Sequence, residues 1–179
     1  SESADIGVYV QPTAHFRPPA AAEVPMIMVG PGTGVAPFRG FLQERRALGH
    51  TGRNWLFFGE RNSATDFYYA DELVRMRDDG LLTELTLAFS RDQRHKVYVQ
   101  DRLREQAARV WNWIDSGAHF YVCGDASRMV GHFIGVEAGG FEPGLRRLIE
   151  GGGQVVVGRR PGAARHRPPE GRALGYGQL

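Results

Sequence analysis

Gly30-Pro31-Gly32-Thr33-Gly34 ends an apolar run, Val24–Val29, directly before a stretch with helical rhythm. Glycine permits positive φ and lets a bulky group approach the backbone amides. A helix opening at that point adds N–H groups and the positive end of its dipole, worth about 0.3–1 kcal/mol to an anion. Thr33 adds a hydroxyl donor. A tight strand-to-helix turn without a ligand would use the same residues, so the motif by itself marks only a candidate anion site. A second cluster lies in "FSRDQRHKVYVQDRL", which holds Ser90, Arg91, Lys96, Tyr98 and Gln100; Lys96 is the only lysine in the chain. If 96–100 is extended, Lys96, Tyr98 and Gln100 share one face while Val97 and Val99 anchor the other. Guanidinium, ammonium and hydroxyl donors together suit a phosphate dianion, at about 1.5–3 kcal/mol per charge-assisted hydrogen bond. Tyr98 offers a ring on which a base can stack. The plain alternative is a solvated polar turn around a core tyrosine. Cys123, followed by Gly124 and Asp125, closes a further apolar run. A cysteine there serves equally as a small core residue, and Asp125 suits a helix N-cap as well as a ligand contact.

The glycine pattern is G-x-G-x-G, without the later glycine of the usual dinucleotide fingerprint. No acidic residue ends the second apolar run in the manner that would grip a free ribose 2′-hydroxyl. With the donors at 90–100, this favours a 2′-phosphorylated dinucleotide, NADP(H), over NAD.

These residues need a scaffold that brings distant loops together. Four apolar runs, Val24–Val29, Trp55–Phe58, Leu85–Phe89 and His119–Cys123, start roughly thirty residues apart, the length of one βαβ unit. Most are too continuously apolar for a half-exposed hairpin and fit parallel strands covered on both faces. Between them lie helical stripes: Phe38, Phe41, Leu42 and Leu48; Leu73 and Met76; Val99, Leu103 and Val110. Pro37 suits a first helical turn. Strand–helix alternation predicts a doubly wound α/β domain with a parallel five-stranded sheet, whose ligands bind beyond the carboxyl ends of the strands. The glycine loop, Gly59-Glu60-Arg61, Ser90-Arg91 and Cys123-Gly124-Asp125 all follow such ends. Trp111 and Trp113 read as cover for the sheet, and Asp78-Asp79 as a solvated helix end. The histidines lack metal-ligand spacing, so no metal site is expected.

The bulk properties restrict the field. The chain has 179 residues, 42% of them hydrophobic, and a formal net charge of +2. That charge does not point to nucleic acid or a membrane surface as partner. A single cysteine excludes an internal disulfide, and "SESADIGVYVQ" lacks the pattern of a signal peptide. A soluble cytoplasmic domain is the expectation. Three segments are distinguished: 1–22, a short strand and proline-bearing linker; 23–130, the α/β domain; and 131–179, rich in glycine and arginine, read as divergent and without order.

"MIMVGPGTGVAPFRGFLQER", "NWLFFGER", "LTLAFSRDQ", "KVYVQDRLREQ" and "GAHFYVCGDASRM" together resemble, in order and spacing, the NADPH-binding half of the ferredoxin–NADP reductase superfamily. The similarity is strongest to its diflavin branch and, within that, to sulfite reductase flavoproteins, and it covers residues 6 to 130. The resemblance implies roles. Gly30, Gly32, Thr33 and Gly34 would lie along the dinucleotide, with Thr33 near its pyrophosphate; Ser90 and Arg91 would hold the 2′-phosphate; Lys96, Val97, Tyr98, Val99 and Gln100 would complete that pocket. Asp125 would be a further cofactor contact, and Cys123 would lie beside the nicotinamide and help set hydride transfer. It also implies FAD, bound mostly by sequence absent here, FMN in the full-length family, and a haem or iron–sulfur acceptor protein. The segment "GVYVQPTAHFRPP" resembles the last strand of the FAD-binding barrel. Past Met129 the likeness stops: His132 stands where the family places an aspartate, and 131–179 resembles translation out of frame. A nucleotide-binding module without turnover, or a reductase serving another haemoprotein, are the alternatives.

Overall fold

The computed structural model describes residues 16–124 and the backbone of 155–159. Its centre is a parallel sheet. β1 (Met26–Val29) pairs with β2 (Asn54–Glu60) on one side and with β4 (His119–Gly124) on the other, and β2 pairs with β3 (Glu84–Phe89). β4 also pairs in parallel with β5 (Val155–Arg159), giving the order β3-β2-β1-β4-β5. The four apolar runs of the sequence are β1 to β4. β5 arises inside the stretch whose composition suggests a lack of order.

Period-two alternation decides which face each strand residue serves. Ile27, Val29, Trp55, Phe57, Phe120 and Val122 enter one core cluster. Met26, Met28, Leu56, Phe58, Tyr121 and Cys123 enter the other. All four residues of β1 are fully buried, as befits a strand flanked by two neighbours and covered on both sides. At roughly 1.5–3 kcal/mol per large apolar side chain, this double layer supplies the main driving force for the fold.

The first core is closed by α4 (Val99–Glu105) and α5 (Ala107–Asp115), the second by α1 (Ala36–Ala47) and α3 (Ala70–Asp78). A single turn, α2 (Ser63–Asp66), precedes α3. Pro37 lies in the first turn of α1, as its fixed φ allows. Trp113 covers Trp55, with ring centroids 5.2 Å apart, and Trp111 packs at the margin of that core. Asp78 and Asp79 end α3 in solvent before Gly80, whose φ is +78°.

Further sequence expectations change. β2 runs past the apolar residues and ends on an acidic one, Glu60, whose carboxylate accepts the Arg61 amide (3.2 Å). Leu48 does not belong to the α1 stripe: it is the C-cap and 62% exposed. The stripe is completed by Arg45, which is fully buried. Residues 96–100 are not one extended segment, because α4 begins at Val99 and only Lys96 to Tyr98 remain outside it. The pattern Val99, Leu103, Val110 belongs to two helices, broken at Gln106.

Among the described residues, β3 has no neighbouring strand on its outer side. There Arg102 Nε donates to the Leu87 carbonyl (3.1 Å) and Gln93 Nε2 to the Phe89 carbonyl (2.7 Å).

Candidate nucleotide-binding site

The strand order reverses between β1 and β4, since the chain leaves β1 toward β2 and returns to its other side as β4. Such a switch point opens a crevice at the carboxyl ends of the two strands. The glycine loop lies there. Gly32 adopts φ +57° and starts a 3₁₀ turn, Gly32–Val35, that runs directly into α1. Gly30 and Gly34 are required by close approach. A methyl on Gly30 would lie 2.8 Å from the Gly34 carbonyl oxygen and from Phe38, and one on Gly34 would lie 2.0 Å from the carbonyl oxygen of Cys123. The glycines thus press the helix start against the end of β4. Thr33 is exposed between buried Gly32 and Gly34, and the first amides of a helix have no intrahelical acceptor. No acidic side chain occupies the first turn of α1, so nothing there opposes an incoming anion.

The second part of the site is assembled by β2 and β3. Past the strands the ladder continues, with the Ser90 amide donating to the Glu60 carbonyl (2.9 Å) and the Arg91 amide to the Arg61 carbonyl (2.8 Å). Arg61 and Arg91 therefore leave the sheet side by side, both exposed. The Asp92 carboxylate accepts the Ser63 amide at 3.1 and 3.2 Å, tying this turn to the start of α2. Asp66 in turn accepts the Asn62 amide, and that bond holds its carboxyl below the usual range. The turns after β2 and β3 are thereby fastened to each other by three backbone donors, Ser63, Ser90 and Arg91, while the Asn62 bond stays within the first of them.

Ser90 is 9% exposed, whereas Arg91, Lys96 and Tyr98 face solvent. Among the described residues neither Arg91 nor Lys96 pairs with a carboxylate. Val97 and Val99 are buried under this segment, and Gln100 is half-buried in the first turn of α4. The alternation expected from the sequence survives through Tyr98, whose amide donates to Asp101 (2.8 Å) as the helix opens. Gly59 makes the approach possible: a methyl there would meet Val99 Cγ2 at 2.4 Å. Cys123 is buried near the end of β4, behind Gly34. Asp125 and His132 lie outside the described residues.

Two features do not show in the sequence alone. Arg61 follows β2 and becomes conspicuous only through its pairing with Arg91; the available signal is its place one residue past a strand end. Arg45 sits on the apolar stripe of α1, where its charge hides it from any apolar pattern.

The donors thus gather in two places: the glycine loop at the switch point, and the exposed cations Arg61, Arg91 and Lys96 with the exposed Tyr98 beyond β2 and β3. The fold and the loop define a nucleotide-binding oxidoreductase module. Residues 28–133 match the oxidoreductase NAD-binding domain, and the chain belongs to that family. Over 128 residues, 72% of the chain, it is 59% identical to the sulfite reductase [NADPH] flavoprotein alpha-component of Serratia proteamaculans. The proteins of the same name from Cronobacter sakazakii and Yersinia pestis are 55% identical over 128 residues and 57% over 125, 72% and 70% of the chain. The chain spans 21% of the length of each of these curated relatives.

Proposed function

We propose that the chain is the NADPH-binding module of a flavoprotein reductase of the sulfite reductase type. The observation that carries this reading is the cation set at the ends of β2 and β3, where the Arg91 amide is bonded to the Arg61 carbonyl. Arg91, Lys96 and Ser90 take the 2′-phosphate, with Arg61 beside them. Tyr98, 48% exposed, covers the adenine. The Gly32 and Thr33 amides, with the Thr33 hydroxyl, take the pyrophosphate, since the Gly30 and Gly34 amides already donate to the Phe57 and Pro31 carbonyls. That path leads across the switch point to Gly34 and to Cys123, which bounds the nicotinamide.

Bound there, NADPH would supply a hydride, for which FAD held by a neighbouring domain would be the acceptor. This chain contributes binding, orientation and the exclusion of water around the transfer. In the same reading, residues 1–22 are the end of the FAD-binding barrel and its linker, 23–130 are the nucleotide domain, and 131–179 are a divergent stretch from which the sheet takes its fifth strand, β5. FMN belongs to the larger assembly, and a sulfite-reducing haemoprotein is the onward acceptor. The name of the relatives, sulfite reductase [NADPH] flavoprotein, supports a flavin and sulfite reduction in that assembly.

Binding of NADP+ and NAD+ to the full chain, measured by calorimetry, tests the reading. Two charge-assisted hydrogen bonds to the 2′-phosphate give a preference for NADP+ of about a hundredfold or more. Equal affinities would reject the phosphate pocket.

A further inference from the structure

Arg45 lies on the apolar stripe of α1 and is fully buried. Burial pulls its guanidinium below the ordinary range, and its hydrogen bonds go to neutral carbonyls: Nη1 donates to Val24 (2.9 Å) and Nη2 to Ala22 (3.2 Å). Its Nε is buried without an acceptor among the described residues. A leucine or methionine would fill this position without the cost of burying a charge. What an apolar side chain cannot do is grip two carbonyls of the chain as it enters β1.

That grip is reinforced from the loop after α1. The amides of Thr51 and Gly52 both donate to the Ala22 carbonyl, at 3.1 and 2.8 Å. Gly52 leaves no spare room, since a methyl there would lie 2.2 Å from Arg45 Nη2 and 2.4 Å from the Val24 oxygen. A few residues upstream, Phe16 inserts its ring among Phe38, Phe41 and Tyr121, with centroids 5.9, 5.2 and 6.1 Å away. The segment "FRPPAAAEV" is therefore held at both ends although its composition is that of a linker. Tyr121 stands two residues before Cys123 and enters the same core.

We propose that Phe16 and Arg45 are positioning residues. They fix the path of the incoming segment across the sheet face that carries Tyr121 and Cys123, and thereby orient the flavin-bearing part against the nicotinamide site. This rests on the function proposed above. It assigns to residues 16–24 the role of a stiff arm and not of a tether.

The test uses Phe16→Ala and Arg45→Lys. Phe16 is only half-buried, so its truncation leaves the core of the domain in place. Three quantities are read: NADP+ affinity of the full chain, amide hydrogen exchange over 16–24, and flavin bleaching by NADPH in a chimera. In the chimera, this chain replaces the matching segment of the Serratia proteamaculans flavoprotein. Exchange over 16–24 should rise about tenfold while NADP+ affinity stays within about twofold. Flavin reduction should slow by about fivefold or more, because misorientation affects the transfer and not the binding. Unchanged flavin reduction overturns the proposal, as does a loss explained wholly by weaker NADP+ binding. If the native chain binds no NADP+, the reductase reading falls instead. Exchange over 16–24 then still decides the clamp, and unaltered protection in both variants rejects it.

Discussion

Gly34 sits so close to Cys123 that a methyl on its α-carbon would come within 2.0 Å of the cysteine's carbonyl oxygen. The obstacle is backbone, which cannot swing aside as a side-chain tip can. Gly34→Ala must push the start of α1 away from β4, at about 3 kcal/mol or more. Thermal unfolding should show a clearly lowered midpoint, with NADP+ affinity lost alongside because the phosphate cradle opens.

Arg91→Ala should lower NADP+ affinity about ten- to a hundredfold and leave NAD+ affinity and thermal stability nearly unchanged. The side chain is exposed and holds no other element in place. Equal loss for both nucleotides, measured by calorimetry, would move the contact from the 2′-phosphate to a part the two share.

Two other glycines should respond with opposite signs. Gly32 adopts φ +57°, so Gly32→Ala costs about 1–2 kcal/mol. Gly40 lies exposed inside α1, and a methyl added there would meet nothing within 4 Å. Gly40→Ala should stabilise by about 0.5–1 kcal/mol, through the reduced freedom of the unfolded chain. Denaturant titrations of both variants give the two signs directly.

His119 is half-buried, and its Nδ1 lies 3.3 Å from the Tyr121 hydroxyl. Burial, aided by the charge of Arg45, holds its imidazole below the ordinary value of 6.5. Above that value the ring is neutral whether the chain is folded or not, and it contributes no pH dependence. As pH falls through 6.5 the unfolded chain takes up a proton that the folded one resists, so stability declines until the folded value is passed. The unfolding midpoint of His119→Gln should therefore fall less steeply below neutral pH than that of the native chain.

The sheet was legible because β1, β2 and β4 are buried on both faces, and burial of that kind writes itself as uninterrupted apolar runs. The glycine loop was legible for a related reason: no other residue meets both the positive φ at Gly32 and the close approach at Gly34. Arg45 was not, since its burial depends on carbonyls more than twenty positions away, and no local pattern marks a cation for the interior. Leu48 failed in the opposite sense. It fitted the stripe by type and spacing, but the helix ended there and released it to solvent. At 96–100 the alternation of Val97 and Val99 is real, yet both strand and helix accept it over so short a span. The Asp101 carboxylate accepting the Tyr98 amide tips the choice to helix at Val99. The adjacency of Arg61 and Arg91 required the register of β2 and β3, which no single segment contains.

The side-chain donors on the outer margin of β3 carry a consequence for behaviour in concentrated solution. An approaching peptide segment seeking to extend the sheet finds the acceptors of Leu87 and Phe89 already taken by Arg102 and Gln93. Polymerisation through this margin must first break both bonds and displace a guanidinium, so the domain is guarded there against self-association by main-chain pairing.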